Sequence, residues 1–93
     1  MTEKEINVKI DKNNKTINVC EDALLSISTI QNSLKLLRKS LRRLYPENES
    51  GAEFAHTLNM VTADIGSLKL EIEDVASDTA DETEKLKKEI NEP

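Results

Sequence analysis

The sequence predicts an all-α fold: an antiparallel two-helix hairpin of coiled-coil type, preceded by a short extended N-terminal arm. Three observations predict it. Phe54, Leu58, Val61, Ile65, Leu68, Ile72 and Val75 recur at alternating spacings of 4 and 3, the narrow apolar stripe with which one helix lies along another. A matching stripe runs upstream of Pro46. Gly51, Gly66, Pro46 and Pro93 are the only glycines and prolines, so long helices with one break fit, whereas a sandwich or barrel needs a turn about every ten residues.

The elements are taken in order within a single domain, residues 1–93. Ile6, Val8 and Ile10 alternate with Asn7 and Lys9, a period of two that predicts an extended arm over 1–11, with Asp11 or Asn14 capping the first helix. Helix one is expected over about 12–45. Its stripe, Ile17, Cys20, Leu24, Ile27, Ile30, Leu34, Leu37, Leu41 and Leu44, carries two successive spacings of three at Ile27, a stammer that overwinds the pairing locally. Lys35, Arg38, Lys39, Arg42 and Arg43 crowd its last turns, where exposed carbonyls favour positive charge. Pro46 then pushes the preceding residue out of helical geometry.

The turn is expected at 46–50 and helix two at about 51–90. Ser50 and Glu53 have the spacing of a capping box, in which hydroxyl and carboxylate each accept a bond from the other residue's amide. So short a connection forces the helices antiparallel. Apolar content fades after Ala76, and the acidic stretch from Ser77 is a solvated helical end or a segment that orders on a partner.

Composition sets the limits on function. Aromatics are 2% of the chain, Tyr45 and Phe54 alone, so the core is assembled from small aliphatic side chains and needs help from a partner. Cys20 has no second cysteine to pair with and lies on the apolar stripe, which marks it as a small buried hydrophobe. A second apolar set, Leu25, Leu36, Met60, Ala63 and Leu70, widens the stripe beyond what one neighbouring helix covers. The free hairpin is therefore expected to associate, as a homodimer or with another helical protein.

Charge is uneven along the hairpin, basic near the turn and acidic toward the open end, a layout suited to head-to-tail pairing or a partner of complementary polarity, or simply to two solvated faces whose charges follow the helix dipole. Five cations within Lys35–Arg43 suggest nucleic acid, but the net charge of −5 and the lack of interleaved aromatics argue against it. Catalysis has no constellation to support it: His56 is the single histidine and no motif joins it to a nucleophile. No cofactor or metal is expected, since there is no glycine-rich phosphate cradle and acid pairs such as Glu71 and Asp74 read as a charged helix face. No run approaches the roughly 18 apolar residues of a membrane span, and Met1–Asp11 has no signal-peptide core. A soluble chain made in the cytoplasm, without membrane insertion, is the expectation.

The opening Glu5-Ile6-Asn7-Val8-Lys9-Ile10-Asp11, the Pro46-x-x-x-Ser50-Gly51 turn, and the charged second helix ending Thr83-Glu84-Lys85-Leu86-Lys87-Lys88-Glu89 together resemble the WXG-type helical hairpins of type VII secretion. Among these the chain looks like the small partner proteins that accompany LXG toxins. It departs from the wider family in having no tryptophan. The family's export signal, a tyrosine with an acid four residues later beyond helix two, is also missing there; Tyr45 and Glu49 have that spacing but sit at the turn. The resemblance implies an adaptor or targeting factor that binds a toxin's helical N-terminal domain, with the export signal supplied by another member of the complex, so that export together with that partner is compatible with it.

The function expected is thus a non-enzymatic helical binding partner. Its surface would combine Leu25, Leu36, Met60 and Leu70 with Lys35, Arg38, Lys39, Arg42 and Arg43. The alternatives are a self-assembling structural coiled coil, such as a phage or cell-structure component, and a small immunity or antitoxin-type regulator.

Overall fold

The computed structural model describes residues 1–45 and 49–91, and of Glu49 and Ser50 the backbone alone. It consists of α1, Glu3–Leu44, and α2, Glu49–Asn91, packed against each other, with no strand among the described residues. The all-α hairpin read from the sequence is the fold found.

The extended arm is not found, because α1 begins at Glu3. Ile6 and Ile10 are four apart, so the residues that alternate with period two also share one helix face. Burial separates the two periods: Ile6 is 5% exposed and Val8, between the two isoleucines, 60%. The start is set by a capping pattern at the chain's beginning. The Glu5 amide donates to Thr2 Oγ1 at 3.2 Å and the Ile6 amide to the Thr2 carbonyl at 3.0 Å, with Glu3 and Glu5 placed favourably in the first turn.

The stammer is absent as well. Apart from Ala23, the covered positions of α1 are Ile6, Ile10, Asn13, Ile17, Cys20, Leu24, Ile27, Gln31, Leu34, Arg38 and Leu41, a strict alternation of four and three. Gln31 and Arg38 hold seam places that apolar counting gave to Ile30 and Leu37, which are exposed. Helix geometry overrides composition here: an uninterrupted helix keeps its 3.5-residue register and accepts a polar side chain rather than overwind. Cys20 is buried, as expected.

On α2, apart from Gly66, the covered row is Gly51, Ala55, Leu58, Thr62, Ile65, Lys69, Ile72, Ala76, Thr79, Thr83, Leu86 and Ile90. Leu58, Ile65 and Ile72 belong to the stripe read from the sequence. Its other members, Phe54, Val61, Leu68 and Val75, each stand one residue before a covered position and are exposed. Small residues fill most of the places they were expected to take. Thr62 and Thr83 tolerate their seam places because each hydroxyl donates to the carbonyl four residues earlier, to Leu58 at 2.7 Å and Thr79 at 2.8 Å.

The chain divides into two compact units. One joins Met1–Leu24 to the part of α2 from Glu71 onward; it contains Ile6, Cys20, Thr83 and Leu86 as buried residues and a Lys9–Glu82 ion pair at 3.7 Å. Asn13, on its seam, keeps a buried Nδ2 without a partner, the kind of polar seam residue that specifies register at some cost in stability. The other unit, Leu25–Leu70, holds Ile27 and Leu58 as its buried hydrophobes.

At the turn, α2 starts at Glu49, two residues earlier than expected, which puts Ser50 inside the first turn. The Ser50 side chain and residues 46–48, on which the capping box and most of the expected turn fall, lie outside the described residues. Gly51 is buried where the chain ends α1 and returns. A Cβ there would lie 2.6 Å from the Tyr45 carbonyl oxygen and 2.8 Å from the Tyr45 Cβ, so only glycine permits this approach without movement.

Candidate protein-binding surface

Within Leu25–Leu70 the two helices run antiparallel, Arg38 meeting Asn59 and Thr62 while Tyr45 meets Phe54. Antiparallel neighbours are related by a dyad perpendicular to the plane that contains both axes, so equal heptad positions share a face. The residues just before each first seam position therefore stand together on one side, and those just after the seam stand on the other. The unit has two faces of different chemistry.

The first face is apolar. Ile30, Leu37 and Leu44 of α1 and Phe54, Val61 and Leu68 of α2 occupy it, between 39% and 67% exposed. The Phe54 ring lies 6.5 Å from that of Tyr45. Ser26, Ser33 and Ser40 border the row on α1, and Thr57 and Asp64 border it on α2, all exposed.

The second face is basic. Lys35, Lys39 and Arg42 line its α1 side, all exposed, with Leu25 and Leu70 on its two flanks. Leu36, Met60 and Arg43 stand on the outermost edges of their helices. Leu25, Leu36, Met60 and Leu70 are 56–69% exposed, so the structure leaves these four uncovered, on the far side of each helix from the seam rather than beside it.

Arg38 has a setting unlike its four basic neighbours. It occupies a seam position, half-covered, and its Nη2 donates to Asn59 Oδ1 at 2.7 Å and to Thr62 Oγ1 at 3.5 Å, while Nε is buried without a partner. It ties α1 to α2 and is spent within the protein. Beside it a notch of about 300 Å³ opens on the basic face, lined by Gln31, Asn32, Leu34, Lys35, Arg38 and Thr62. Gly66 lies on the same face, and a Cβ added there would meet nothing within 4 Å.

The two units differ in charge as well. Leu25–Leu70 has six cations and four acids, whereas the other unit has seven cations and fourteen acids. His56 is exposed. Among the described residues no group of histidine, cysteine or carboxylate side chains is arranged to hold a metal, and no helix is long and apolar enough to cross a membrane. Comparison with protein-family models, with curated proteins and with solved structures gives no match.

The sequence signal for the apolar face was present but assigned to the wrong neighbour. Phe54, Val61, Leu68 and Ile30, Leu37, Leu44 recur at intervals of seven, and a row at seven can be half of an internal seam or a flank that faces outward. Only the identity of the row packed against it distinguishes the two.

Proposed function

We propose that this chain is a non-enzymatic helical adaptor that binds the helical N-terminal domain of an LXG-type toxin and serves its targeting for type VII secretion. The observation that supports a binding role is the amount of apolar surface left uncovered. Fifteen large hydrophobic residues stand exposed among the described residues, while five are buried and the remaining seam hydrophobics are only half-covered, and contiguous exposed apolar surface marks a site of association. The toxin as partner rests on the resemblance of the opening stretch, turn and second helix to proteins of that system.

The basic face suits such a partner. Leu25 and Leu70 would supply apolar contact, and Lys35, Lys39 and Arg42 would orient an acidic helix and speed its approach. The test is co-expression with the helical domain of an LXG toxin encoded beside this chain. A stable complex whose association slows at least several-fold in Lys39→Glu/Arg42→Glu, with helical content retained, supports the reading; absence of a complex, or an association rate unmoved by both charge and salt, overturns it.

A further inference from the structure

We infer that the notch beside Arg38 is a carboxylate socket, which takes one acidic side chain from a helix lying across Gly66. The inference rests on the adaptor reading for the existence of a helical partner, and it adds the feature of that partner which the hairpin reads.

The charge of Arg38 is the first argument. Its Nη2 bonds go to Asn59 Oδ1 and Thr62 Oγ1, neutral oxygens that hold the guanidinium in place without compensating it. Among the described residues no carboxylate pairs with Arg38, and its Nε is buried without an acceptor. A half-covered cation in that state costs free energy, and a buried N–H with no acceptor is uncommon enough to need a cause. A carboxylate removes both deficits. Its two oxygens match the edge of a guanidinium, and its charge-assisted bonds are roughly twice as strong as neutral ones.

Shape is the second. Five residues of α1 line the notch, Gln31, Asn32, Leu34, Lys35 and Arg38, but Thr62 is the one residue that lines it from α2. The antiparallel register that sets Arg38 against Asn59 sets Gln31, one heptad earlier, against Gly66, one heptad later. Gly66 also stands one helical turn beyond Thr62. The notch is therefore open toward α2 where the glycine supplies no side chain, and a Cβ there would meet nothing within 4 Å. The same lack lets the backbone of a second helix come close.

The chemistry of the walls is the third. Lys35 brings a second cation, and the side-chain amides of Gln31 and Asn32 are donors for carboxylate lone pairs that the guanidinium leaves over. Among the described residues no acid lines the notch. Its volume of about 300 Å³, against ~30 Å³ for one water in the liquid, admits a carboxylate together with its methylene stem.

Arg38, Arg42 and Arg43 are the three arginines of the chain, so isotope-labelled arginine gives three Nε–H signals by magnetic resonance, and the exposed Arg42 and Arg43 serve as internal controls. Titration of the full chain with glutarate, balanced by sodium chloride to constant ionic strength, should shift the Arg38 signal saturably while the other two move little. Gly66→Leu, which fills the notch, should abolish that shift with helical circular dichroism retained. Asn32→Asp, an isosteric change that places an acid in the notch, should do the same. An Arg38 signal that follows Arg42 and Arg43, or that shifts equally in both variants, overturns the socket. A response to inorganic phosphate with none to glutarate overturns it in favour of a free phosphate site. In a complex with the helical domain of an LXG toxin, Gly66→Leu should speed dissociation at least several-fold and leave the association rate unchanged, because a covered pair governs the off-rate and rim charges the on-rate. A complex whose dissociation rate does not move in Gly66→Leu refutes the socket and leaves the adaptor reading standing; a saturable Arg38 response to glutarate without any toxin complex retires the adaptor reading and leaves the socket.

Discussion

The same substitution at the two glycines should shift stability in opposite directions. Replacing Gly66 by alanine adds a methyl group to a helix interior where nothing lies within 4 Å, so the change in helix propensity is left unopposed. That stabilises by about 0.8–1 kcal/mol. At Gly51 the propensity gain is the same in kind, but the methyl would meet the Tyr45 carbonyl oxygen at 2.6 Å and the Tyr45 Cβ at 2.8 Å. Both atoms are backbone or fixed to it, so the turn must move, at a cost typical of forced repacking, about 1–3 kcal/mol. The net effect at Gly51 is destabilisation by up to about 2 kcal/mol. In a chain of this size 1 kcal/mol corresponds to roughly 4–8 °C in melting temperature. Thermal unfolding followed by circular dichroism, at one fixed protein concentration since any association would make the midpoint concentration-dependent, should show Gly66→Ala rising and Gly51→Ala falling. Shifts of the same sign in both variants would refute the turn geometry.

Two further tests bear on the seam. Ile6→Ala should destabilise by roughly 2 kcal/mol, at the low end of core truncations because it lies near a helix start, whereas Val8→Ala should stay within about 0.5 kcal/mol; equal effects in urea titrations would restore the extended arm. Ile27, at 4% exposure, should not tolerate aspartate, losing at least about 3 kcal/mol to an uncompensated buried charge, while Leu68→Asp, at an exposed position, should leave the hairpin folded. A matched loss of helicity in both would place Leu68 in the internal seam after all.

Much of the architecture was legible in the chain itself. Aliphatic residues at helical spacing, the scarcity of glycine and proline, and a single break at Pro46 are local properties, and local periodicity is enough to specify two long helices and their antiparallel return. The Thr2–Glu5 cap was legible too, though the alternation of Ile6, Val8 and Ile10 concealed it. Leu25, Leu36, Met60 and Leu70, read from the sequence as widening the stripe, are exposed because they stand on the far side of each helix from the seam.

What the sequence could not determine was which apolar row turns inward. An apolar row at intervals of seven, here Leu58, Ile65 and Ile72 on α2, can form a seam with the row on either side of it. Counting apolar residues selects Phe54, Val61 and Leu68 to complete the seam; the structure selects Ala55, Thr62 and Lys69. The choice rests on what faces the seam across the hairpin, where Gly51 draws the chain against Tyr45 and Arg38 reaches Asn59 and Thr62 from the opposite helix. Small and polar residues pack inside because two helices alone enclose little volume, and the larger side chains on the adjacent row are left outside, where only tertiary packing reveals them as a surface.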